Sequence, residues 1–281
     1  MKRRPSPLIM ALQYLLLILA GIFAFYPVWF AILASGRLGG RLYSLNLPGM
    51  LFPVEWTFEN YRVMLFDRPF LTWLTNSLIV AAITMGSSML FATSAAFAFS
   101  RFRFKGRELG LIFFLALQAF PGVLALIPVA QLLTALGLYG SKLGLVFAYT
   151  TGTLIFCTWN LKGYFDTIPI DLEEAGMIDG AGPIQSFLLI ALPLARPALA
   201  VTALFAFLAG WSDFVFASVL VPAPDSAKML VPGMYSLANS QSVPWGYFAA
   251  GAVMIIIPVS MLFLYLQRFF ESGLTLGGVK G

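Results

Sequence analysis

The residues best suited to chemistry in this 281-residue chain lie in one polar, acidic segment stranded between apolar runs. It reads Phe165-Asp-Thr-Ile-Pro-Ile-Asp-Leu-Glu-Glu-Ala-Gly-Met-Ile-Asp-Gly-Ala-Gly182, then runs from Pro183 to Leu192-Pro193. This is where the chain can address a soluble partner. Bond-making chemistry has little to work with elsewhere: there is no histidine, and the one cysteine, Cys157, sits in an apolar run where it behaves as a small hydrophobe. No disulfide framework or zinc spacing can be built from it. No G-x-x-x-x-G-K-[ST] stretch is present, so the chain has no phosphate cradle of its own, and energy must arrive from another polypeptide.

The segment positions its own side chains through local signals. Asp171 and Glu174 have capping-box spacing, with Asp in the cap role, and predict a helix starting there. Gly180 suits its end, and Gly182 followed by Pro183 suits the start of a second helix. The first helix is about two turns long, exposes Glu173, Glu174 and Asp179, and carries Leu172, Ala175, Gly176, Met177 and Ile178. So short a helix is unstable alone in water, so it must pack on its own membrane domain or in a partner's groove.

Around this segment the chain is built for lipid. With 60% hydrophobic and 10% charged residues, it reads as an all-α, polytopic membrane protein. Six spans are expected at about 8–34, 71–100, 109–133, 143–161, 197–220 and 247–269, in a single domain over residues 1–281. The first run is too long for the apolar core of a cleaved signal peptide. The fourth is diluted by Thr150, Thr151, Thr153, Thr158 and Asn160, which helices tolerate where they hydrogen-bond to one another.

Most of the 17 basic residues gather on one side of this pattern. Lys2, Arg3, Arg4, Arg101, Arg103, Lys105, Arg107, Lys162, Arg196, Arg268 and Lys280 share it, against Arg37, Arg41, Arg62, Arg68, Lys142 and Lys228 opposite. Positive residues stay cytoplasmic, so both termini, the loop 162–196 and the tail 270–281 are placed there. These residues form no stripe and give no nucleic-acid footprint.

Ser88, Ala92, Ala96 and Ser100 recur every four residues, a stripe for close helix packing. Pro121-Gly122, Pro128 and Pro258 predict bends. Trp56, Tyr61, Trp73, Trp245 and Tyr247 lie near span ends, as an interfacial aromatic belt would. Asp213 is the one acidic residue inside a span, with a structural role as good a reading as a functional one. A secondary transporter or channel predicts a relay of buried ionisable groups, and an embedded enzyme predicts converging ones; Asp213 alone supplies neither.

The acidic segment also carries a resemblance. Glu174-Ala175-Gly176, three residues, Gly180, nine residues, Ile190, one residue and Leu192-Pro193 reproduce the spacing of the EAA loop of permease subunits in binding-protein-dependent ABC importers, with Gly176 where Ala is more usual. Trp159-Asn-Leu-Lys-Gly-Tyr-Phe165, Trp245-Gly-Tyr-Phe-Ala-Ala-Gly-Ala-Val-Met254 and Gly273-Leu-Thr-Leu-Gly-Gly-Val-Lys-Gly281 resemble the MalG-type subunits of maltose/maltodextrin importers. The resemblance implies an inner-membrane sugar permease without enzymatic activity of its own. Its implied partners are a MalF-like second permease, an ATPase dimer and an extracytoplasmic sugar-binding protein that would meet loop 221–246. It further implies that the loop's helix docks in an ATPase cleft through Glu174, Ala175, Gly176 and Gly180. The tail with Gly277, Gly278 and Lys280 would reach between the ATPase subunits. It assigns no residue to the sugar itself.

Overall fold

A computed structural model of the chain describes residues 6–38, 47–53, 56–222, 224–238 and 243–276. Lys2, Arg3, Arg4, Arg41, Gly277, Gly278 and Lys280 lie outside the described residues. Every long element among the described residues is helical. In chain order they are α1 (Pro7–Ser35), α2 (Leu47–Leu51), α3 (Glu59–Arg62), α4 (Phe70–Arg101), α5 (Arg107–Ala119), α6 (Leu126–Ala135) and α7 (Lys142–Phe165). Then follow α8 (Asp171–Ile178), α9 (Pro183–Ser186), α10 (Leu192–Leu194), α11 (Arg196–Trp211), α12 (Val215–Leu220), α13 (Leu230–Ala238) and α14 (Trp245–Leu276).

Three of these are long and apolar enough to cross a bilayer: α1, α4 and the 245–269 part of α14. Two bent pairs qualify as units, so five crossings are reached if each pair is one span. Residues 107–119 and 122–135 meet at 94°, where Pro121-Gly122 removes a helical donor and admits a sharp turn, so the span predicted at 109–133 is broken at the bend the sequence predicts. Residues 183–194 and 196–211 meet at 81°. The span predicted at 197–220 also breaks, at residues 212–214, where Asp213 leaves the helix and accepts a hydrogen bond from the Ala217 amide at 3.0 Å. Its carboxylate also accepts the Tyr149 hydroxyl at 2.7 Å, which gives the one intramembrane acid a structural role. The Thr-rich α7 lies outside the apolar set.

The helices gather into two compact units, residues 1–70 with 234–257, and residues 71–233 with 258–281. In the first, Asn60 donates to the carbonyls of Ser35 (2.8 Å) and Arg37 (3.1 Å), closing the turn after α1. The α1 residues before this turn are exposed from Pro7 to Pro27, Leu8 and Phe23 most of all. That is an apolar surface fit for lipid or another membrane helix.

The second unit holds the larger core. Ala92 and Ala96 of α4 are fully buried against Cys157, Leu161 and Phe165 of α7 and Ala198 and Ala206 of α11. The small side chains bring the backbones close enough for hydroxyls to pair, Ser88 with Thr153 and Ser87 with Thr150, both at 2.7 Å. Asn160 joins α7 to α11 by donating to Thr202 at 2.7 Å. Thr150, Thr153 and Asn160, among the polar residues that weaken α7 as an apolar span, are thus its cross-links. Trp73 departs from the predicted belt: it is 2% exposed, packs over Gly233 and donates its indole N–H to the Asp225 carbonyl at 3.0 Å.

Candidate functional site: the acidic segment at the end of α4 and α7

α8 forms within the acidic segment and starts at Asp171 as expected, but without the expected side-chain cap. Ile170 is already helical, and no side chain caps the end. The first helical amides, Leu172, Glu173 and Glu174, reach back to the carbonyls of Pro169 and Ile170, so Asp171 is drawn into the first turn instead of capping it. There it still favours the helix by placing negative charge at the N-terminus.

The end of α8 follows the local signals closely. Gly180 has φ +94°, a left-handed conformation that side chains resist. Its amide bonds the Met177 carbonyl at 3.1 Å and the Ala181 amide bonds the Gly176 carbonyl at 2.9 Å, which together make a Schellman turn. Gly182 then precedes Pro183 at the first position of α9, and Gln185 reaches back to accept the Gly182 amide at 3.0 Å. A π-helical turn at residues 187–191 leads into α10. Pro193 and Pro197 each remove an amide there, so the chain can turn into α11.

Rotation of α8 sorts its residues. Glu173 and Gly176 are three apart and share the inward face. Glu173 is 3% exposed, a correction to its predicted exposure, and Arg101 at the end of α4 donates Nε to its Oε1 at 2.7 Å. Gly176 is seated on the π-helical turn so closely that a Cβ there would run into Ile190 Cδ1. Glu174, Ala175 and Ile178 are exposed, Ile178 by 85%. Leu192 is half-buried and, with Phe187 and Leu188, lines an apolar groove of about 510 Å³ that also contains Arg196.

The anchor is larger than one ion pair. Arg101 also donates to the Ile168 carbonyl at 2.9 Å and to Ser100 Oγ at 3.1 Å. Ser100 in turn donates to Asp166 at 2.7 Å, and Lys162 pairs with the same carboxylate at 2.5 Å. Burial works against the Asp166 charge, yet hydrogen bonds from Lys162 and Ser100 outweigh it and hold the carboxyl below the ordinary aspartate value of 3.8. Phe97, Phe165 and Phe187 interlock beneath, with Phe97 5.7 Å from Phe165 and 4.6 Å from Phe187.

The structure therefore brings Gly176 and Ile190 into contact, leaves Glu174 and Ala175 on the open face, and uses Gly180 as the turn. Sequence reasoning missed Glu173 as an anchor and took Arg101 only as a topology marker. The available signal was position: Arg101 directly follows Ser100, the last member of the small-residue stripe, and so lies beside the packed face of α4.

Chemically the arrangement is a set of ion pairs and hydrogen bonds; among the described residues no group of His, Cys, Asp and Glu could hold a metal. It is a short helix held by one face and offered by the other, at the ends of membrane helices. The class matches: the profile of the binding-protein-dependent transport system inner membrane component covers residues 88–276, and the chain belongs to that family. Among its relatives, the galactooligosaccharides transport system permease protein GanQ of Bacillus subtilis is 38% identical over 96% of this chain and 95% of its own length. The maltose/maltodextrin transport system permease protein MalG of Escherichia coli is 36% identical over 96% of this chain and 95% of its own. A crystal structure of a bacterial ABC transporter that imports the acidic polysaccharide alginate has a chain of the same fold, with TM-score 0.79 and 24% identity, covering 96% of this chain and 99% of that one.

Proposed function

We propose that this chain is one of two permease subunits of an ATP-driven ABC importer for maltose, maltodextrin or a related oligosaccharide, resident in a bacterial inner membrane. In this reading residues 1–281 form one permease domain with six crossings and both termini cytoplasmic. α7, 24 residues long, supplies the sixth crossing, since at about 1.5 Å per residue it has the length of a hydrocarbon core. Its Thr150, Thr153 and Asn160 are already hydrogen-bonded to neighbouring helices, which removes most of their cost in lipid.

The observation that carries the reading is the division of α8 into an anchored and an open face. Glu173 and Gly176 fasten it inward. Glu174, Ala175 and Ile178 offer an acidic and apolar surface outward, suited to a cleft with a basic residue. A separate ATPase pair would occupy that surface, bind ATP and magnesium, and push α8 as it closes. A MalF-like permease and lipid would cover the open apolar length of α1, and an extracytoplasmic sugar-binding protein would meet the segment after α12. Gly277, Gly278 and Lys280 would extend toward the ATPase.

The test is transport by the assembled importer. Glu174→Lys and Gly180→Pro are expected to abolish ATP-driven sugar uptake while the complex still assembles; intact uptake in either variant removes the coupling role. Solute movement by the purified chain alone in liposomes would make it a self-sufficient transporter instead.

A further inference from the structure

We propose that Arg101 is a positioning residue that ties α8 to the end of α4 through Glu173, so that displacement of α8 is delivered to α4 as a rigid movement. The proposal rests on the reading of α8 as the helix an ATPase pushes, and adds the side chains through which the push reaches the membrane helices.

α8 has few means of holding its orientation. Glu173 is the only one of its residues that is buried, and Gly176 offers no side chain to grip Ile190. Contact at Gly176 alone would let the helix roll on the π-helical turn beneath it. The Arg101 guanidinium prevents this because one planar, rigid group holds three partners at once: Glu173 Oε1, the Ile168 carbonyl just before the helix, and Ser100 Oγ on its own helix. A lysine has a single point charge and cannot hold the same three directions. Ser100, Asp166 and Lys162 extend the grip to the end of α7.

Burial makes the pair selective. Arg101 and Glu173 side chains are 10% and 3% exposed, so a displaced α8 strands two charges away from water. An intact buried pair adds little net stability compared with apolar side chains of the same size, but separating its members is costly, so it acts as a register device. The two adjacent glutamates thus have opposite tasks. Glu174 faces out for a partner, and Glu173 faces in to transmit what the partner does.

The experiment uses the whole importer in liposomes: this chain with Cys157→Ala, its partner permease, its ATPase pair and its binding protein. A benzophenone label at Ile178→Cys reports contact of α8 with the ATPase, and maltotriose is the probe sugar. In Glu173→Gln and Arg101→Lys, cross-linking and ATP hydrolysis are expected to stay within about twofold of the parent, while maltotriose imported per ATP falls about tenfold or more, as expected for loss of a buried charged contact. Asp166→Asn, on the exposed leg of the network, is expected to cost less than about threefold.

Should the single variants fail to assemble, Arg101→Met with Glu173→Met replaces the pair by packed apolar side chains, which commonly restores folding. That double variant is expected to assemble and to remain uncoupled. Wild-type import per ATP in the double variant, or in both single variants, overturns the tie and leaves the permease reading standing. A parent importer whose Ile178 label never reaches the ATPase overturns the docking reading and the tie with it.

Discussion

The two ends of α4 fasten their neighbouring segments by different means. At the start of α4, Trp73, Asn76 and Ser77 clasp the segment after α12: Asn76 donates to the carbonyls of Ser226 (2.9 Å) and Lys228 (3.0 Å), and Ser77 accepts the Leu230 amide at 2.7 Å. Lys142 closes this clasp by donating to Asn76 Oδ1. At the other end, Arg101 and Ser100 fasten α8 and the end of α7 through carboxylates. The first clasp is made largely of neutral groups bonded to backbone, and the second largely of charges.

That difference has a physical consequence. Neutral side chain to backbone bonds fix a loop in one place and lose little if it relaxes into water, because each contributes only about 1 kcal/mol net. A buried charge pair penalises any state in which its members separate. The end that carries α8 is therefore stiff by electrostatics, and the opposite end is held by shape and hydrogen bonds.

Arg101→Met should break this contrast most strongly. It leaves Glu173 charged, buried and unpaired, and is expected to cost about 3–5 kcal/mol, read as a lower thermal unfolding midpoint in detergent. Asn76→Leu at the other end orphans two carbonyls and removes the acceptor of Lys142, and is expected to cost less, about 1–3 kcal/mol in the same measurement. If Asn76→Leu proves the costlier, the charged end is not the stiffer one.

Gly180→Ala probes the turn after α8. Its φ of +94° is strained for any residue with a Cβ, and nothing lies within 4 Å of the added atom, so the cost is purely conformational, about 1–2 kcal/mol. Gly176→Ala tests packing instead: the added Cβ meets the flexible tip of Ile190, which can turn aside, so a loss of under about 1 kcal/mol is expected, partly offset by the better helix propensity of alanine. Both are read from hydrogen exchange of residues 171–181.

The smallest effect is a pH dependence confined to the charged end. Because the folded pKa of Asp166 is depressed, its contribution is fully present above the ordinary aspartate value of 3.8 and is lost as pH falls below that toward the lower folded value. Exchange protection near residue 166 should therefore fall as pH drops below about 3.8 while protection near Leu230 holds. Asp166→Asn should abolish the difference.

Much of the acidic segment was legible because its signals are local. A glycine with left-handed φ, a glycine followed by proline and a long-range spacing to Leu192-Pro193 describe the end of α8 and the start of α9 without reference to other helices. The bend at Pro121-Gly122 is legible for the same reason. The break at residues 212–214 is not, since neither Ser212 nor Asp213 excludes a helix; it follows from Asp213 finding both Tyr149 and the Ala217 amide. The start of α8 at Asp171 is legible as well, but its cap is not: the backbone is already helical at Ile170, which draws Asp171 into the first turn.

The sequence by itself determined that this chain belongs in a bilayer, that its polar segment is short and helical, and where that helix ends, because apolar length and backbone preference are properties of single stretches. Only the tertiary structure decided which of two neighbouring glutamates faces inward. One residue of helix is about 100° of rotation, and nothing local distinguishes Glu173 from Glu174. The choice was made by Arg101, seventy-two positions away in the chain and 2.7 Å away in space.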